Sequence, residues 1–128
     1  MKKVVAGRIL VVDDQPANLR VVGALLSRNG YEVLSAANGE QALAIASETL
    51  PDLILLDVLM PGMDGFEVAT LVRHDERLKD LPIVMITSRT GEKHRDRALS
   101  IGVNEYLGKP YQESVLLEAI QRLVHADV

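Results

Sequence analysis

A doubly wound α/β fold on a five-stranded parallel sheet is what this sequence predicts, and three observations carry the prediction. Short apolar runs rich in β-branched residues recur along the chain, segments with helical spacing lie between them, and turn-forming residues fall at the joints. The runs Ile9-Leu10-Val11-Val12, Leu53-Ile54-Leu55-Leu56 and Ile83-Val84-Met85-Ile86 have no polar alternation, so they read as strands covered on both faces. Right-handed crossovers then place the intervening helices on the two sides of the sheet.

The elements follow in order. After the first run, Pro16 suits a first helical turn, and Leu19, Val22, Leu25 and Leu26 share one helical face. Asn29-Gly30 ends that helix and turns into a second strand, Tyr31 to Ala36. Asn38 can cap a helix opening at Gly39-Glu40 and carrying Ala42, Leu43 and Ala46. The run 53–56 is the third strand, and Phe66, Ala69 and Val72 mark the next helix. His74 to Leu81 reads as a polar connection into the fourth strand. Ala98, Leu99 and Ile101 then predict a helix closed by Gly102, Asn104 to Leu107 a fifth strand, and Leu116, Ala119, Ile120 and Leu123 a final helix. Pro51, Pro82 and Pro110 stand at element edges, where a missing N–H does least harm. The expected organisation is one domain over residues 8–125, with a leader at 1–7 and a tail at 126–128.

Composition narrows the function. The 128 residues contain no cysteine, which removes disulfide scaffolds, thiolate zinc sites and cysteine nucleophiles together. A net charge of −4 argues against direct binding of nucleic acid, because phosphate neutralisation needs a basic face. No apolar run approaches the roughly 20 residues of a membrane span, and the first seven residues are too short for a signal peptide, so a cytoplasmic location is expected. Aromatic residues make up only 3%, which predicts an aliphatic core.

The chemistry gathers at strand ends. The first strand ends in Asp13-Asp14, the third in Asp57, the fourth in Thr87-Ser88 and the fifth in Gly108-Lys109-Pro110. In open α/β sheets, ligands bind outside the carboxyl ends of the strands. If the first and third strands are neighbours, about 4.8 Å apart, three carboxylates converge and need a cation to offset their repulsion. Hard oxygen donors suit Mg²⁺ better than zinc. Taken alone, Asp14 before Pro16 suits a helix cap equally well. Taken as a set, the groups describe a phosphoryl site: Asp13 and Asp14 as metal holders, Thr87 as donor, Lys109 as cation and Asp57 as nucleophile. Asp57 is favoured for that role because it follows the most apolar run and enters the Gly- and Pro-punctuated loop Val58 to Gly65. The product would be an aspartyl phosphate.

These motifs resemble those of response-regulator receiver domains of two-component signalling: Val11-Val12-Asp13-Asp14, Leu55-Leu56-Asp57 with Met60-Pro61-Gly62-Met63-Asp64-Gly65, Ile86-Thr87-Ser88 and Lys109-Pro110-Tyr111. The resemblance covers residues 8–125. It implies strand order 2-1-3-4-5 and transfer of a phosphoryl group to Asp57 from a histidine kinase or histidine phosphotransfer domain. It implies Mg²⁺ held by Asp14, Asp57 and the Leu59 carbonyl, with Asp13 acting mainly through water, and Thr87 and Lys109 on the phosphoryl oxygens. It also implies a cis Lys109-Pro110 bond. Thr87 and Tyr106 would form the switch that alters the surface of the fourth helix, fifth strand and fifth helix for a downstream protein effector. Arg95, Arg97, Glu105 and Glu113 are expected on that surface.

Two alternatives belong to other classes. A Mg²⁺-dependent phosphohydrolase working through an aspartyl phosphate usually carries a second acid two residues after the nucleophile, where this chain has Leu59. A vestigial receiver acting only as an interaction module would have no reason to keep all five pocket groups.

Overall fold

A computed structural model describes residues 7–89 and 91–125. The elements alternate without exception: β1 (Gly7–Val12), α1 (Pro16–Arg28), β2 (Tyr31–Ala36), α2 (Gly39–Thr49), β3 (Leu53–Asp57), α3 (Gly65–His74), β4 (Ile83–Thr87), α4 (Glu92–Ile101), β5 (Glu105–Gly108) and α5 (Glu113–Val124). The five strands are parallel, in the order β2-β1-β3-β4-β5. Order reverses between β1 and β3, which pair from Ile9 opposite Leu53 to Val12 opposite Leu56.

Side-chain alternation along each strand sorts the core into two layers. Ile9, Val11, Leu53, Leu55, Val84 and Ile86 pack with Leu25, Leu26, Leu116 and Ile120 of α1 and α5. Leu10, Val12, Ile54, Leu56, Ile83 and Met85 pack with Ala42, Phe66, Val68, Val72 and Ala98 of α2, α3 and α4. Every residue of β3 and β4 is buried, as an unbroken apolar run requires of a central strand. Each aliphatic side chain fully withdrawn from water contributes about 1.5–3 kcal/mol, so these layers hold the sheet edge rigid enough to present a site.

Local signals act where expected. Pro16 opens α1, and Asn38 accepts from Gln41 N at 2.9 Å. Gly30 and Gly102 take φ of 90° and 109°, values an L side chain strongly disfavours.

Four expectations need correction. Gly7 begins β1 and so belongs to the domain, while residues 1–6 and 126–128 of the expected leader and tail lie outside the described residues. β5 runs from Glu105 to Gly108, and Asn104 before it is tied to Ile83 twice, its N–H donating to Ile83 O at 2.9 Å and its side-chain oxygen accepting from Ile83 N at 2.8 Å. The connection after α3 is more than polar: Leu78 and Leu81 are buried, and Arg73 donates to the carbonyls of Lys79, Leu81 and Gly102 and to Asn104 Oδ1. In α4 only Ala98 is buried, and Leu99 is 47% exposed, so this helix is held by few apolar contacts.

Candidate functional site

The carboxyl ends of β1, β3, β4 and β5 bring the predicted groups to one edge. Asp57 is the last residue of β3, and Thr87, the last of β4, pairs with Gly108 immediately before Lys109. Asp13 follows β1, anchored by its own N–H to Ala36 O at 3.1 Å. Carboxylate oxygens of Asp13, Asp14 and Asp57 all lie within 4.8 Å of one another. Lys109 Nζ stands 3.8 Å from Asp13 Oδ2 and equally 3.8 Å from Asp57 Oδ1. That separation is a loose ion pair, leaving the ammonium able to attend a further anion.

Asp57 is buried, and burial raises its carboxyl pKa above the usual carboxylate range. Lys109 opposes that rise, Asp13 and Asp14 add to it, and Leu59 N, 3.3 Å from Asp57 Oδ1, opposes it. A carboxylate in this setting carries a charge that the loosely held Lys109 ammonium offsets only in part, and that a divalent cation would offset further. The donor set is all oxygen, which fits a hard ion such as Mg²⁺.

Asp13, and not Asp14, makes the turn into α1. Its Oδ1 accepts from Gln15 N at 2.9 Å and its Oδ2 from Asn18 Nδ2 at 3.1 Å. The N-cap residue of α1 is Gln15, without a side-chain cap bond, so the capping alternative for Asp14 does not hold. Asn18 was not singled out for the site. Its signal was its position one turn into α1, five residues after Asp13.

Gly65 is a second residue the spacing alone did not single out. A Cβ there would lie 2.5 Å from Asp57 O and 2.8 Å from Val58 Cα, so α3 can approach the end of β3 this closely only through glycine. Gly65 N donates to Val58 O at 3.0 Å, and Asp64 caps α3 by accepting from Glu67 N at 2.9 Å. Leu59 is 41% exposed on the loop between them.

On the other side, Thr87 Oγ1 accepts from Arg89 N at 3.0 Å, and Tyr106 OH donates to Arg89 O at 2.5 Å. Tyr106 is buried against the α4 side of the sheet, and burial raises its pKa. Hydrogen bonding with the Thr87 side chain opposes that rise, and both residues also bond the backbone of Arg89, which the sequence did not mark as part of a switch. The Lys109-Pro110 bond is cis. Arg97 departs from expectation: its guanidinium lies 4.3 Å over the Phe66 ring, turned toward α3 and away from β5. Glu105 is ion-paired with Arg122 of α5 at 2.7 Å.

A cavity of about 270 Å³ opens beside the acids, lined among others by Asn18, Val21, Asp57, Lys109 and Tyr111. Among the described residues no helix is long and apolar enough to cross a membrane.

Known proteins share this family and fold. Residues 9–121 match the family model of the response regulator receiver domain. The chain is 43% identical over 118 residues to the response regulator PleD of Caulobacter vibrioides, covering 92% of this chain and 26% of that protein. It is 33% identical over 117 residues to protein PilH of Pseudomonas aeruginosa, covering 91% of this chain and 97% of that one. Its fold superposes with a TM-score of 0.85 on the receiver domain of a sensor histidine kinase from Pseudomonas aeruginosa PAO1, a structure with a magnesium ion coordinated in the active site cleft. The two are 34% identical, with 92% of this chain and 97% of that one covered. With strand order, acidic pocket and family match in agreement, the chain belongs to the response-regulator receiver domains.

Proposed function

We propose that this chain is a phosphoacceptor switch in which Asp57 takes a phosphoryl group from a phosphohistidine of a histidine kinase or histidine phosphotransfer domain. The observation that carries the reading is the setting of Asp57: a buried carboxylate, held up in pKa, with Asp13, Asp14 and Lys109 around it. An Asp57 oxygen attacks phosphorus, the histidine nitrogen leaves with the bonding pair, and an acyl phosphate remains. Lys109 is loosely enough held to pair with the incoming phosphoryl oxygens, and the Thr87 hydroxyl can donate to them.

The three aspartates, with the Leu59 carbonyl, would hold Mg²⁺, which when bound offsets the charge of the carboxylates and the phosphoryl oxygens. Both Asp13 oxygens already accept hydrogen bonds, which supports a role for Asp13 through water while Asp14 and Asp57 bind directly. The magnesium-containing relative favours the same ion.

Drawing Thr87 toward the phosphoryl group would take its Oγ1 away from Arg89 N and unsettle the bond between Tyr106 and Arg89. Tyr106, already buried, then turns into the space that Thr87 vacates, and the α4-β5-α5 surface shifts for a downstream protein effector. Leu99 on α4 and Val115 on α5 are the apolar groups exposed there. The chain assists its own phosphorylation and dephosphorylation and turns over no other substrate. A histidine kinase as partner favours a cytoplasmic location, and the net charge of −4 argues against nucleic acid as a direct partner. Leu59 has no acid to protonate a leaving group, which sets this reading apart from a phosphohydrolase.

Incubation with Mg²⁺ and acetyl phosphate, followed by intact mass, tests the proposal. One phosphoryl adduct is expected, lost in Asp57→Asn. An unchanged wild-type mass under conditions that label a control receiver would overturn it. Thermal melting adds a check on the ion: at ten times its Kd, Mg²⁺ should stabilise by roughly 1.4 kcal/mol, and Asp14→Ala should remove the shift.

A further inference from the structure

We infer that Asn18 is a positioning residue for Lys109: by donating to Asp13 Oδ2 it keeps the ammonium from closing onto Asp13 and leaves it free for an incoming phosphoryl group. The inference deepens the phosphoacceptor reading of Asp57 and rests on it. Asn18, Asp13, Asp57 and Lys109 border one cavity at the end of the sheet. Among the described residues Lys109 Nζ has two anionic neighbours, Asp13 Oδ2 and Asp57 Oδ1, each at 3.8 Å. An unopposed N–H···O contact between such charges closes to about 2.8 Å. The Lys109 backbone is fixed, its N–H donating to Thr87 O at 2.8 Å, while the four-carbon stem is flexible enough to reach either carboxylate. The ammonium nevertheless stands off from both.

For Asp13 the cause is the hydrogen bonds its carboxylate already accepts. Asp13 is buried, with Oδ1 engaged by Gln15 N at 2.9 Å and Oδ2 by Asn18 Nδ2 at 3.1 Å. Both donors are neutral, and each one partly meets the charge that would otherwise draw in the lysine. Of the two ends of an asparagine amide only the nitrogen can face a carboxylate, so the donor is fixed by chemistry. The first turn of α1 holds that amide in place, since Asn18 N donates to Gln15 O at 3.0 Å. Asparagine forms helix poorly and is preferred at the N-cap, yet the N-cap is Gln15 and Asn18 is the third residue of α1. Its side chain serves Asp13 instead of the helix end. Without that donor, Asp13 Oδ2 would be an open acceptor on a buried anion within reach of Lys109. The ammonium would then move away from Asp57, the side on which the phosphoryl group arrives.

Two measurements need neither metal nor phosphodonor, so their failure is distinct from failure of Asp57 to accept a phosphoryl group. Urea denaturation of the wild type, Asn18→Ala, Lys109→Ala and the double variant forms a cycle. Lys109→Ala should raise the unfolding constant about fivefold more in the Asn18→Ala background than in the wild type, because the pair with Asp13 is then direct. A crystal structure of Asn18→Ala should place Lys109 Nζ about 2.8 Å from Asp13 Oδ2 and farther from Asp57 than in the wild type. Alanine suits a helix interior, and a cooperative urea transition verifies that each variant folds. In the labelling assay, acetyl phosphate is kept well below saturation and Mg²⁺ is raised until more changes nothing, which removes effects through the ion. Asn18→Ala should then gain mass about tenfold more slowly than the wild type. Additive stabilities, an Nζ still equidistant from the two carboxylates, or labelling at the wild-type rate would each overturn the inference. If the wild type itself gains no mass, the reading of Asp57 falls, and the urea cycle still decides whether Asn18 restrains Lys109.

Discussion

Replacing Gly65 by alanine separates the geometry of the site from the stability of the fold. The added Cβ would sit 2.5 Å from Asp57 O, about 0.9 Å inside an ordinary contact of 3.4 Å, and 2.8 Å from Val58 Cα. Both obstacles are backbone, so neither can turn aside as a side chain could. The start of α3 or the end of β3 must move by nearly an ångström, and overpacking of this kind costs about 1–3 kcal/mol. The same displacement moves Asp57, and a misplacement of about 1 Å lowers reaction rate roughly a hundredfold. Gly23→Ala is the control: it lies inside α1, its Cβ would meet only Val33 Cγ1 at 3.8 Å, and alanine in a helix interior gains up to about 1 kcal/mol over glycine. Urea denaturation gives the stabilities, and the rate of mass gain with acetyl phosphate gives the chemistry. Gly65→Ala should lose both, and Gly23→Ala should gain stability at an unchanged rate. A Gly65→Ala chain that is labelled at the wild-type rate would refute the claim that the α3 approach positions Asp57.

Arg73→Ala leaves carbonyls of Lys79, Leu81 and Gly102 without their donor and should cost about 3 kcal/mol in urea. Lysine should not restore it, since an ammonium cannot span these acceptors as the planar fork does. In metal-free buffer, Asp57→Asn should stabilise the chain at pH 7 by thermal melting, with the gap to wild type closing as pH falls toward about 4. The sign follows from burial: the folded chain keeps the Asp57 proton where the unfolded chain has released it, so stability present below the unfolded pKa is lost as pH rises through the folded one. A gap that widens on acidification would contradict the desolvated carboxylate. Tyr106→Phe should cost about 1 kcal/mol for the bond to Arg89 O, and Tyr106→Ala about 3–5 kcal/mol, the range for removing a buried aromatic ring. Equal losses would mean that the ring contributes nothing beyond its hydroxyl.

The sequence by itself determined the element order and the location of the site. An unbroken apolar run cannot lie at a wet surface, so Leu53 to Leu56 and Ile83 to Ile86 had to be central strands, and parallel central strands had to deliver Asp57 and Thr87 to the same edge. Backbone chemistry was equally legible, because Pro16, Asn38 and Gly102 act within a turn of their own position. What only the tertiary structure decided depends on partners distant in the chain. Asp13 rather than Asp14 makes the turn into α1 because Asn18 and Gln15 N reach its oxygens. Arg97 faces α3 because Phe66 offers it a ring, and charge alone could not choose between that face and β5. Arg73 gathers carbonyls from α4's end and the loop before β4, a role no local pattern encodes. Period and propensity act between neighbours in sequence, whereas desolvation, stacking and the fit of Gly65 against β3 exist only once the layers have closed.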